Sequence, residues 1–168
     1  MSKSPADRFP VSLVMQREYA RHRQWTYPRW TALGIVAGRR GEVEERGLHC
    51  RRIRHTPEGV EQFVWSGLAL ELYRDAAESY WHNLVGRQPS LFVACRADLD
   101  GAMRPCMVSA DYDEAGAYME ADDSVFAVPI PPEVYRWLEA FVLQHYRPAP
   151  PHKRRRKAWS GGEHHVSS

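Results

Sequence analysis

The chain has 168 residues, 43% of them hydrophobic, which is enough apolar material for one core and too little for a second. Its net charge of +2 hides an uneven distribution, because residues 1–152 hold 18 basic against 20 acidic side chains while the run Lys153-Arg154-Arg155-Arg156-Lys157 carries the excess. No stretch approaches the roughly 18 apolar residues of a membrane span, and the first residues lack a signal peptide's apolar run, so a cytoplasmic protein is expected.

In chain order, short runs rich in β-branched and aromatic residues predict strands at about 11–20, 30–37, 60–74, 78–85, 90–97 and 103–111. Between the second and third lies a polar, glycine-containing stretch, Gly38 to Gly47, expected to be a mobile surface loop. Within the third strand Leu68, Leu70 and Leu72 alternate with Ala69, Glu71 and Tyr73, which gives one apolar face and one that can meet water, and Gly67 marks a bulge. Arg74-Asp75-Ala76-Ala77 is the expected turn into the strand at 78–85. Asp98-Leu99-Asp100-Gly101 turns the next hairpin with the positive φ that tight turns need. Pro105 lacks a ladder donor, which places the last strand at an edge or bulge.

Two helices are expected after the sheet. Asp111 caps the first, with Glu114 at the capping-box position, and it runs to about Glu120. The second starts at Pro131-Pro132-Glu133, presents Val134, Leu138, Phe141, Val142 and His145 as a stripe, and stops at Pro148. The fold class is therefore α+β: a mainly antiparallel meandering sheet, or a partly open barrel, with two C-terminal helices. Residues 1–147 form a single domain, and 148–168 form a disordered basic tail with too little apolar surface to offset the entropy of ordering.

Catalytic signatures do not emerge. Cys50, Cys95 and Cys106 lack the C-x-x-C spacing of a metal site and are expected to be reduced, mostly buried thiols. There is no phosphate loop, dinucleotide fingerprint, nucleophile elbow or H-E-x-x-H pair. Glu71 and Glu78 are the one candidate carboxylate pair for acid–base work, and cross-strand pairing with Arg74 or solvent exposure competes with that role. No cofactor and no metal site are assigned.

Core packing accounts for most of Trp25, Trp30, Trp65, Trp81 and Trp137, but rigid aromatics and arginines also dominate interface hot spots. Trp30, Arg74, Tyr80 and Trp81, with Lys153, Arg154, Arg155, Arg156 and Lys157 of the tail, are the partner-binding candidates. The basic run followed by Trp159 suits an acidic protein surface better than nucleic acid, because the body is slightly acidic and shows no nucleic-acid-binding signature.

The order Phe9-Pro10-Val11, the Trp25 to Trp30 stretch, Leu70 to Tyr80, Pro89-Ser90-Leu91-Phe92-Val93 and Pro129 through Pro148 resembles a bacterial family of uncharacterised domains. That resemblance covers nearly the whole chain. It implies a companion of molybdenum-dependent formate dehydrogenases, in whose gene clusters such domains are often encoded. Some relatives bear a label for molybdopterin-guanine dinucleotide biosynthesis protein A; a nucleotidyltransferase of that kind needs a glycine-rich nucleotide loop and acidic metal ligands, and this sequence shows neither. The expected function is a non-catalytic accessory or maturation protein that binds a formate dehydrogenase subunit or its assembly machinery. Two alternatives stand beside it: a small-molecule or cofactor binder or minor enzyme, with a pocket between sheet and final helix lined by Tyr80, Trp81 and Arg74, and a nucleic-acid-binding regulator using the tail.

Overall fold

The computed structural model describes residues 3–41 and 47–148. Seven strands, β1 (Asp7–His22), β2 (Trp25–Ala37), β3 (His49–His55), β4 (Glu61–Leu72), β5 (Ser90–Ala97), β6 (Met103–Ser109) and β7 (Ser124–Pro129), make two antiparallel sheets. Their orders are β2-β1-β4-β3 and β6-β5-β7. Three helices, α1 (Ala77–Val85), α2 (Tyr112–Glu120) and α3 (Pro132–His145), complete the α+β fold, and neither sheet closes into a barrel.

One predicted strand is a helix. Residues 78–85 belong to α1, entered through a single 3₁₀ turn at Arg74–Ala76, so the expected aromatic hairpin is a strand followed by a helix. Its buried residues, Ala77, Tyr80 and Leu84, recur at the 3-and-4 spacing of one helical face. Strands β3 and β7 were absent from the sequence reading. The latter returns between α2 and α3 to pair with β5. Residues 42–46 of the expected mobile loop, and 149–168 of the expected tail, lie outside the described residues.

The four-stranded sheet is long, and only half of it is packed. Phe9, Val11, Leu13 and Met15 alternate into the core from β1, opposite Leu70, Leu68 and Trp65 of β4. Leu68, Leu70 and Leu72 are all buried, as their alternation predicts. Gly67 does mark a bulge: Ser66 and Gly67 together oppose Ser12, and Gly67 has φ +92°. Any side chain there would also collide with the Gly47 backbone.

Around the three-stranded sheet the turn chemistry follows the sequence. Gly101 takes φ +79° in the Asp98 to Ala102 turn, where its N–H bonds the Asp98 carbonyl at 2.9 Å. Strand β6 is an edge strand, and Cys106 bulges out beside Pro105. Asp111 caps α2 by accepting from the Asp113 N–H at 2.9 Å. The second half of the expected capping box runs through an intermediary: the Asp111 N–H donates to the Ser109 hydroxyl at 3.0 Å, which donates to Glu114 at 2.6 Å.

Helix α3 starts at Pro132 and buries Val134, Leu138, Phe141 and Val142, while the His145 ring packs tilted against Phe141 at 4.4 Å between ring centroids. These side chains join those of both sheets and α1 in one contiguous core.

Candidate partner-docking surface

Beyond Met15 and Trp65 the core ends, but the strands continue. The next core-side positions hold Arg17 on β1, Trp30 on β2, Glu61 and Phe63 on β4 and Arg52 on β3. With no opposing sheet among the described residues to bury apolar groups, this stretch packs its own side chains. The Arg17 guanidinium lies 5.5 Å from the Trp30 ring centroid and 5.7 Å from those of Tyr19 and Phe63. It also pairs with Glu61, which Arg52 reaches at 3.1 Å. Glu61 is buried, and the Arg17 hydrogen bond holds its carboxyl below the usual glutamate range, with Arg52 adding to the effect. A buried ion pair of this kind contributes orientation more than net stability. It ties Arg17 of β1 and Arg52 of β3 to one carboxylate of β4, with Arg17 held over the Trp30 ring.

Outside that cluster the arm is bare. All seven residues of β3 are exposed, as are Tyr19 and Tyr27, and Trp25 near the β1–β2 turn is 77% exposed. Residues 17–31 and 49–61 hold seven arginines against three glutamates. Since the body as a whole is slightly acidic, the arm is a positive projection on an otherwise negative domain. Exposed Trp, Tyr and Arg together form the composition of interface hot spots.

The candidates from the sequence fall in different places. Trp30 lies in the arm, half-buried against Phe63 at 5.7 Å between centroids. Arg74 is exposed in the 3₁₀ turn beside Asp75, which pairs with Lys3. Tyr80 is a core residue: its side chain is 1% exposed, and its hydroxyl accepts the Tyr73 N–H at 3.0 Å. Trp81 is partly exposed and stacks on Tyr146 at 6.0 Å, a cluster separate from the arm. Residues 153–157 lie outside the described residues. Trp25, assigned by composition to the core, is the most exposed aromatic side chain among the described residues. No local sequence signal marks it: the turn at positive-φ Arg23 that sets Trp25 opposite His22 at the end of the β1–β2 pair is visible only in the structure.

The three residues named for a pocket sit at different places: Tyr80 lines a cleft of about 690 Å³ with Tyr73, Asp75 and Glu114, Arg74 lines a neighbouring one with Tyr73 and Asp75, and Trp81 stacks on Tyr146. One cleft of about 400 Å³ lies between β4 and β6 and is walled by Arg8, Glu71, Tyr73, Cys106, Glu114 and Tyr118. Glu71 is satisfied there by the Tyr73 hydroxyl at 2.9 Å and by Arg8 at 3.3 Å. Burial and the Glu71 hydrogen bond push the Tyr73 phenol up, away from proton release. Glu78 stands apart on the surface, 3.7 Å from His82, so the two glutamates do not converge on one cleft. Among the described residues no group of three His, Cys, Asp or Glu side chains is placed to hold a metal ion, and no helix is long and apolar enough to cross a membrane. Of the thiols only Cys95 is buried; Cys50 and Cys106 are exposed, contrary to the expectation for most of them.

No curated protein and no solved structure matches the chain. A family model described as "Protein of unknown function (DUF3305)" matches residues 10–156, which takes in both sheets, all three helices and most of the basic run. The chain therefore belongs to the DUF3305 family.

Proposed function

We propose that this protein is a non-catalytic accessory protein that docks onto a larger, acidic partner through the arm formed by the outer halves of β1 and β2 and by β3. The supporting observation is the exposure of Trp25, Tyr19 and Tyr27 on an arm that also carries Arg21, Arg23, Arg51 and Arg54, none of which has an ion-pair partner among the described residues. Positive charge on the arm steers an acidic partner to it and speeds encounter. The basic run at 153–157 extends the same sign of charge. The resemblance of the chain to companions of molybdenum-dependent formate dehydrogenases makes a subunit of that enzyme, or its maturation machinery, the partner to test.

The test is affinity purification from the protein's own cells grown with formate and molybdate, using the intact chain and a Trp25→Ala/Tyr27→Ala variant. Capture of a formate dehydrogenase subunit by the intact chain and its loss from the variant is the expected result. Equal capture by both would move the docking surface off the arm, and capture by neither would remove formate dehydrogenase as the partner.

A further inference from the structure

The four-stranded sheet has two borders, and they differ. Strand β2 runs alongside β7 and is interrupted by Pro28, which has no N–H to offer. Strand β3 has β4 on one side and, among the described residues, no backbone partner on the other. An edge of this kind is a template for another strand. What it accepts is decided by its side chains.

Those side chains are cationic on both faces. Arg51 and Arg54 sit opposite Val64 and Gln62 on the outer face, and Arg52 sits opposite Phe63 on the core-side face, with Ile53 as the bulged residue between them. Arg51 and Arg54 have no ion-pair partner among the described residues. A second copy of β3 laid along this edge would set arginine against arginine, which disfavours self-pairing. A nucleic-acid backbone presents its phosphates along one line, whereas these cations are split between two faces and Arg52 is already tied to Glu61. An extended peptide matches the arrangement, because its successive side chains alternate between the same two faces.

From this geometry we infer that the β3 edge binds an acidic, extended segment of a partner protein as an added strand. Main-chain hydrogen bonds supply affinity, and the arginines on both faces select for glutamate or aspartate. The inference rests on the arm-docking reading above and specifies how the partner is held.

The test uses the full chain and an acetylated, amidated heptapeptide, Glu-Val-Glu-Glu-Val-Glu-Val, which places carboxylates on both faces of a strand. Two versions with alternate backbone amides N-methylated, one for each edge, keep the side chains and charge but block one edge each. The parent peptide is expected to bind and to slow hydrogen exchange of the amides in 49–55. One N-methylated version should bind at least about tenfold more weakly, the loss that corresponds to about 1.4 kcal/mol of main-chain hydrogen bonding. Equal binding of all three peptides, absence of binding by the parent, or stronger protection of 49–55 by a twelve-nucleotide oligouridylate than by the peptide would each overturn the inference. In the affinity purification, an Arg51→Glu/Arg54→Glu variant that keeps the partner while Trp25→Ala/Tyr27→Ala loses it would remove the edge and leave the arm.

Discussion

The indole Nε1 of Trp137 on α3 donates a hydrogen bond of 2.8 Å to Oδ2 of Asp7, the first residue of β1, and Arg40 holds the same carboxylate at 2.9 and 3.1 Å. Arg40 also lies 5.6 Å from the Trp137 ring centroid, so one acidic side chain joins the final helix, the first strand and the segment after β2. Trp137→Phe should keep the edge-to-face contact with Phe9 yet leave Asp7 one donor short. A loss of about 1 kcal/mol in urea unfolding is expected, against less than that for Arg40→Ala, whose ion pair is half exposed.

Asn83 is the stronger clamp. Its amide nitrogen donates to the carbonyls of Ser90 at 2.7 Å and Ala110 at 2.9 Å, and its side-chain oxygen accepts the Ser90 N–H at 3.0 Å. One side chain on α1 thus satisfies main-chain groups at the start of β5 and just after β6. Asn83→Ala strands all three and should cost about 2 to 4 kcal/mol. Asn83→Asp should cost a comparable amount, because a carboxylate cannot donate to the two carbonyls. Urea midpoints of both variants are the check; a loss under about 0.5 kcal/mol in each would show that water replaces the clamp freely.

Glu61 makes stability depend on pH in a stated direction. Its folded carboxyl titrates below the ordinary glutamate value, so in that window the unfolded chain binds more protons than the folded one. The contribution is complete above the ordinary value and is lost as pH falls through the folded one. Glu61→Gln should therefore be destabilising near neutral pH, by about 1 to 3 kcal/mol, and the gap to the parent should narrow as acid is added. Urea midpoints measured from about pH 7 down to about pH 3 would show the two curves converging; parallel curves would dissociate Glu61 from the arm's ion pairs.

The thiols should separate into two classes. Burial pushes the Cys95 thiol up to about 12, and the buried side chain offers no path to reagent. Cys50 and Cys106 are exposed, though partial burial raises both. Iodoacetamide on the folded protein should modify Cys50 and Cys106 slowly, and Cys95 only in denaturant. Mass spectrometry of the labelled peptides would read this directly, and early labelling of Cys95 would show that β5 opens locally.

Local signals made much of the fold legible. Alternation at Leu68, Leu70 and Leu72, the Asp111 cap, the glycine of the Asp98–Gly101 turn and the Pro131-Pro132 helix start each specify a conformation through groups within a few residues, so one sequence window holds the whole cause. The 77–85 helix was legible too, in the spacing of Ala77, Tyr80 and Leu84, but aromatic content suggested a strand there. Tertiary structure alone decided the rest. Strand β3, seven exposed residues with three arginines, has no apolar pattern of its own and is extended because β4 offers it a hydrogen-bonding edge. Trp25 and Tyr80 have similar chemistry and opposite fates, one in solvent and one in the core. Burial is a property of what stands opposite a side chain, and the sheet carrying Trp25 outruns the elements that cover its other half, so an aromatic that composition would place inside is left outside.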